Sequence, residues 1–128
     1  MDTRKLGPFD VSALGFGCMS LSHAYGTPPS PADAATVLHA ALDAGYTHLD
    51  SAALYGFGAN ETLLGNAVSG RRKEFVLASK CGMFRNAQGQ REIDGRPEVI
   101  ARTLPASTSR DIAPMLSSTG SRLSQRCR

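Results

Sequence analysis

The sequence is short of cysteine and has no long apolar run, and each shortage removes a class of protein. Its three cysteines, Cys18, Cys81 and Cys127, are odd in number and far apart. No Cys-x-x-Cys pair or Cys/His cluster occurs, so neither a disulfide framework nor a metal site is expected, and a reducing cytoplasm is the default setting. The N-terminus carries no apolar signal core and no stretch approaches the length of a membrane span, so no membrane partner is expected. An excess of one charge is also missing from most of the chain. Residues 1–101 hold nine Lys or Arg against ten Asp or Glu, whereas residues 102–128 hold five Arg against one Asp. The formal charge of +3 and the pI near 9.0 therefore arise in the last stretch, and the body offers no nucleic-acid footprint. Finally, Gly15-Phe16-Gly17 lacks the third glycine of a dinucleotide fingerprint, which disfavours a Rossmann-type binder. These glycines either admit a ligand close to the backbone or mark a bulge at a strand end.

What is present is the pattern of one modest α/β domain. With 128 residues, 41% hydrophobic and 20% charged, the chain is globular in composition. Residues 3–12 read as two very short strands about a Gly7-Pro8 turn. Residues 13–19 form a strand ending in small residues, followed by a loop to Ser30. A helix is expected from about Pro31 to Ala44. Ser30 is its N-cap, Pro31 suits the first helical position, Asp33 adds a carboxylate to the first turn, and Gly45 stands at the C-cap. Ala34, Leu38, Ala41 and Leu42 recur on one face, with Val37 alongside.

Residues 46–50 form a strand without polar alternation, as expected when both faces are covered. Asn60 is placed as the cap of a second helix, with Glu61 in its first turn, Leu63, Leu64, Ala67 and Val68 inward, and Gly70 as the stop. Arg71-Arg72-Lys73 is read as a solvated connector. Phe75 to Ser79 is the third strand, Arg85 to Gly95 a polar loop, and Pro97 to Leu104 the start of a third helix. Alternation with short links predicts parallel βαβ units.

Pro105 halts the third helix. Beyond it, residues 102–128 carry nine Ser or Thr and five Arg with no periodic apolar face, a composition that favours disorder. The chain is therefore divided into a domain of residues 1–104 and a basic, irregular tail of residues 105–128. The tail is either a natural flexible extension or the product of a truncation or altered frame after about Leu104, and the halt of an α/β series within a helix favours the second.

The chemistry centres on three residues. Asp50 closes an apolar run, Tyr55 follows in Leu54-Tyr55-Gly56, and Lys80 ends the run Val76-Leu77-Ala78-Ser79. Functional groups of open sheets and (β/α) barrels gather at the C-terminal ends of strands, and Met19, Asp50 and Lys80 lie at three such ends. A lone phenol is a poor acid at neutral pH, a nearby ammonium stabilises the phenolate, and a carboxylate holds the ammonium. Taken singly, Asp50 as a turn cap, Tyr55 as a half-buried ring and Lys80 as a solvated charge are the simpler readings. Together, in this setting, the three point to a proton-donating site.

The segments Arg4 to Gly7, Val11 to Met19, Gly45 to Asp50, Asp50 to Gly56, Asn60 to Gly65 and Leu77 to Gly82 resemble, in order, the N-terminal part of the aldo-keto reductase family. The resemblance implies a TIM (β/α)8 barrel of which the chain holds the N-terminal hairpin and the first three βα units. It implies reduction of a small aldehyde or ketone with NADP(H). Tyr55 would be the general acid, Lys80 would ease loss of its proton, and Asp50 would pair with Lys80. Gly17, Cys18, Met19 and Asp50 would lie near the nicotinamide ribose. Ser51 stands where threonine is more usual in the family. The family's active-site histidine has no match among His23, His39 and His48, and the short chain is expected to be inactive by itself. The competing reading is a non-catalytic interaction fragment that keeps the partial barrel. The residues specify no oligomeric state.

Overall fold

A computed structural model describes residues 1–22 and 25–100. The expectations for residues 101–128, including the end of the third helix and the basic tail, and for His23 lie outside the described residues. The chain opens on an antiparallel hairpin of β1 (Thr3–Leu6) and β2 (Phe9–Ser12). Gly7, at φ 56°, takes the left-handed turn between them. A parallel sheet follows in the order β3 (Phe16–Gly17), β4 (His48–Asp50), β5 (Val76–Ala78). The strands are shorter than their apolar runs suggested. Met19, expected at the end of β3, instead opens a 3-10 turn, Met19–Leu21.

Helix α1 (Pro31–Asp43) follows its sequence signals closely. The Ser30 hydroxyl accepts from the Asp33 backbone N–H at 3.2 Å, Pro31 opens the helix, and Gly45 leaves it at φ 87°. Ala34, Leu38, Ala41 and Leu42 are buried, whereas Val37 is exposed. Helix α2 (Ala59–Val68) packs against α1. Leu38 and Leu42 of α1, Leu64 and Val68 of α2, and Leu49 and Leu77 of the sheet form one core with Cys18, Leu21, Ala34 and Phe75. Period-two alternation sends Leu49 into this core and His48 and Asp50 to the opposite face of β4.

Three sequence expectations are corrected here. First, α2 is not capped by Asn60: the helix begins at Ala59 after Gly58, and Asn60 is fully buried. Second, the basic turn is not merely solvated. Arg71 bridges Asp43 of α1 at 2.7 Å and Glu74 at 2.6 Å, while Arg72 lies 5.2 Å from the centre of the Phe75 ring and donates to its carbonyl at 2.7 Å. Third, the polar loop after β5 contains an antiparallel hairpin, β6 (Met83–Arg85) and β7 (Arg91–Ile93). Its turn is built by Asn86, whose side-chain oxygen accepts from the N–H groups of Gln88 and Gln90 at 3.0 and 2.9 Å. Residues 97–100 are helical.

Candidate active site

The parallel register sets Gly17 of β3, Asp50 of β4 and Ala78 of β5 in one row. Lys80 follows Ala78 by two residues and so shares its face. Lys80 Nζ donates to Asp50 Oδ1, to the Ser51 carbonyl at 2.9 Å and to the Tyr55 hydroxyl at 3.3 Å. It also lies 5.1 Å from the centre of the Tyr55 ring. An ammonium carries three donors, and these acceptors use all three. Partial burial pulls the Lys80 pKa down, but the hydrogen bonds and charge of Asp50 and Tyr55 outweigh it, and the net movement is upward. The three residues read from the sequence thus meet at one point.

Tyr55 reaches that point through an unusual piece of backbone. It opens the turn Tyr55–Gly58, in which Gly56, Phe57 and Gly58 follow one another in the left-handed region at φ 62°, 51° and 97°. Two of the three are glycine, which takes that conformation without steric cost. A Cβ on Gly56 would lie 2.9 Å from Ala59 Cβ. The β6–β7 hairpin reaches this loop, with the Arg85 guanidinium 4.2 Å above the Phe57 ring.

The residues expected at the cofactor differ in exposure. Gly17 is exposed beside Asp50, and a Cβ there would meet nothing within 4 Å. Met19 is half-buried. The Cys18 thiol is wholly buried, burial pushes its pKa up to about 12, and the Cys18 N–H donates to the Asp50 carbonyl at 2.8 Å. Gly15 is exposed and packs beside His48. Its bare Cα makes room for His48, whose Nδ1 would be 2.9 Å from a Cβ at that position. Among the described residues His48 Nε2 is buried without a partner, and His39 stands beside Arg71.

Two polar residues expected only as the start of a helix are interior instead. Asn60 and Glu61 are fully buried, at 0% and 1% exposure. The signal was the helical period itself. Asn60 stands four residues before Leu64 and eight before Val68, and Glu61 three and seven before them, so both fall on the inward stripe.

Fold and site together define a parallel α/β protein with a Lys80–Asp50–Tyr55 cluster at its strand ends. The model of the aldo/keto reductase family matches residues 13–110, and the chain belongs to that family. It is 43% identical over 111 residues to an NADP(+) aldo-keto reductase of Schizosaccharomyces pombe, covering 84% of this chain and 32% of that protein. It is 42% identical over 84 residues to an uncharacterized oxidoreductase of Bacillus subtilis, covering 64% and 26%. The holo form of an aldo-keto reductase from Bacillus halodurans superposes with a TM-score of 0.73 at 35% identity, covering 88% of this chain and 36% of the other. The chain therefore spans about a third of the length of these relatives. It is the hairpin and first three βα units of a TIM (β/α)8 barrel, with no closed barrel among the described residues.

Proposed function

We propose that this chain carries the proton-donating part of an NADPH-dependent carbonyl reductase acting on a small aldehyde or ketone. The observation that carries this reading is the direction of the Lys80–Tyr55 hydrogen bond. Lys80 donates and the Tyr55 oxygen accepts, so the phenolic proton is not committed to this contact and is free to pass to a substrate oxygen. The ammonium, held by Asp50, then stands beside the phenolate that remains. Asp50, acting on Lys80, fixes the charge in place. Gly17 and Met19 are the residues suited to hold the nicotinamide ribose, with Asp50 between them and the lysine. When bound, NADPH supplies the hydride that reaches the carbonyl carbon. The Schizosaccharomyces pombe relative carries NADP(+) in its name, which supports this choice of cofactor.

The test is a chimera in which this chain replaces the matching third of the Schizosaccharomyces pombe relative. Carbonyl-dependent oxidation of NADPH should fall by ~10²–10⁴ on Tyr55→Phe, the usual contribution of general acid catalysis, with cofactor affinity nearly unchanged. A Tyr55→Phe chimera that turns over aldehydes at the parental rate removes Tyr55 from the reaction.

A further inference from the structure

Asn60 and Glu61 sit at the start of α2, yet neither serves that helix. Asn60 Oδ1 accepts from the Ser51 hydroxyl at 2.7 Å, and its Nδ2 donates to the Cys18 carbonyl at 2.8 Å and to Ser22 Oγ at 2.7 Å. Glu61 Oε1 accepts from the Ser79 hydroxyl at 2.7 Å. These four bonds reach the C-terminal end of every strand in the parallel sheet: Cys18 after β3, Ser51 after β4 and Ser79 after β5. The two serines are the immediate neighbours of the site residues, since Ser51 follows Asp50 and Ser79 precedes Lys80. Ser51 also supplies the carbonyl that takes the third proton of Lys80.

We infer that Asn60 and Glu61 are a pair of positioning residues which, by gripping Ser51 and Ser79, set the distance between Asp50 and Lys80 and so the placement of Lys80 against Tyr55. Burying a carboxyl group is costly unless it is well bonded, and Glu61 is poorly bonded. Its second oxygen has no partner among the described residues, and burial raises its pKa, only partly countered by Ser79. A residue chosen for stability alone would be apolar here. The bond to Ser79 is what the carboxyl oxygen provides. The inference rests on the reading of Asp50, Tyr55 and Lys80 as one site, but on no reaction.

Lys80 reports the arrangement, because its raised pKa depends on Asp50 and Tyr55 being at hand. The sequence has three lysines, Lys5, Lys73 and Lys80. Trace acetylation of the dilute 128-residue chain across alkaline pH, read peptide by peptide in the mass spectrometer, therefore gives the Lys80 titration directly. Protection of the buried Cys18 from a thiol reagent shows in the same sample that the fold is kept. In the parent, Lys80 should titrate above the ordinary lysine range. Ser79→Ala, at an exposed position, and Glu61→Ala should both lower it with Cys18 still protected, and Glu61→Gln, which keeps the acceptor oxygen, should restore it. Asn60→Ala should act in the same direction from the Ser51 side. If Ser79→Ala leaves the Lys80 titration where the parent has it while Cys18 stays protected, the positioning role is wrong. A parent chain in which Lys80 titrates as an ordinary lysine overturns the site itself, a separate result.

Discussion

At the scale of single residues, the charged groups of this chain divide into those that water carries and those that the fold must hold. Lys5–Asp10 is exposed on both sides, and such pairs contribute little. Lys80 and Glu61 differ, since folding moves both upward in pKa, from ordinary values of 10.5 and 4.5. For each, the folded chain binds the proton more tightly than the unfolded one, so stability is greatest below the ordinary value and falls as pH rises through the raised one. For Glu61 that window opens at about 4.5 and runs upward through its raised pKa. Glu61→Gln removes the ionisation but keeps the acceptor for Ser79. Its denaturation midpoint, measured by pulse proteolysis at low concentration, should therefore fall less than that of the parent as pH is raised from the acid side. Equal slopes for the two proteins would mean that Glu61 is not held out of water. The sequence displays Asp50, Tyr55 and Lys80 openly, because each ends an apolar run or stands beside a glycine. It hides Glu61, because a carboxylate in a first helical turn is also what favours an exposed helix start.

At the scale of elements, α1 was readable because its signals are local. Ser30, Pro31 and Gly45 act within one turn of the helix end. The β6–β7 hairpin was not, since both strands are polar and short. The turn chemistry of Asn86 and Gly89 (φ 76°) was there to be seen, but Arg91-Glu92-Ile93 offers no apolar alternation to accompany it. The basic turn hid its role for another reason: its partner, Asp43, is 28 residues away in sequence from Arg71, and only packing of the turn on α1 joins them. The loop that carries Tyr55 yields the element-scale prediction. Any side chain at Gly56 must take the left-handed region, which costs roughly 1–2 kcal/mol, and must also displace Ala59 at the start of α2. Gly56→Ala should therefore shift Tyr55 relative to Lys80. In the chimera its kcat should drop while cofactor affinity is kept, and a kcat equal to that of the parent would show that the turn is not what places the phenol.

At the scale of the whole molecule, site and scaffold are unequal. The three groups proposed for proton transfer meet at Lys80, but they stand on a sheet whose β3 and β5 each pair on one side only among the described residues. The site is also open: the Lys80 and Asp50 side chains are 55% and 38% exposed. Water competes for such groups, and electrostatic stabilisation needs a site that excludes it. Unpaired strand edges in turn invite pairing with another chain. A single ångström of misplacement can cost about 10²-fold in rate, and a barrel of this class takes ~250 residues to hold its strand ends in place. The purified 128-residue chain should therefore show no measurable NADPH-dependent reduction of aldehydes, and it should associate through its sheet edges. Sedimentation across a dilution series, alongside NADPH oxidation, checks both. Placing a lysine at Val76 or at Ala78, on the open edge of β5, should shift the chain toward monomer, since charge on an edge strand opposes pairing. A monodisperse monomer that melts cooperatively and consumes NADPH on addition of an aldehyde, with Tyr55→Phe silent, would show instead that three strands suffice to hold the site.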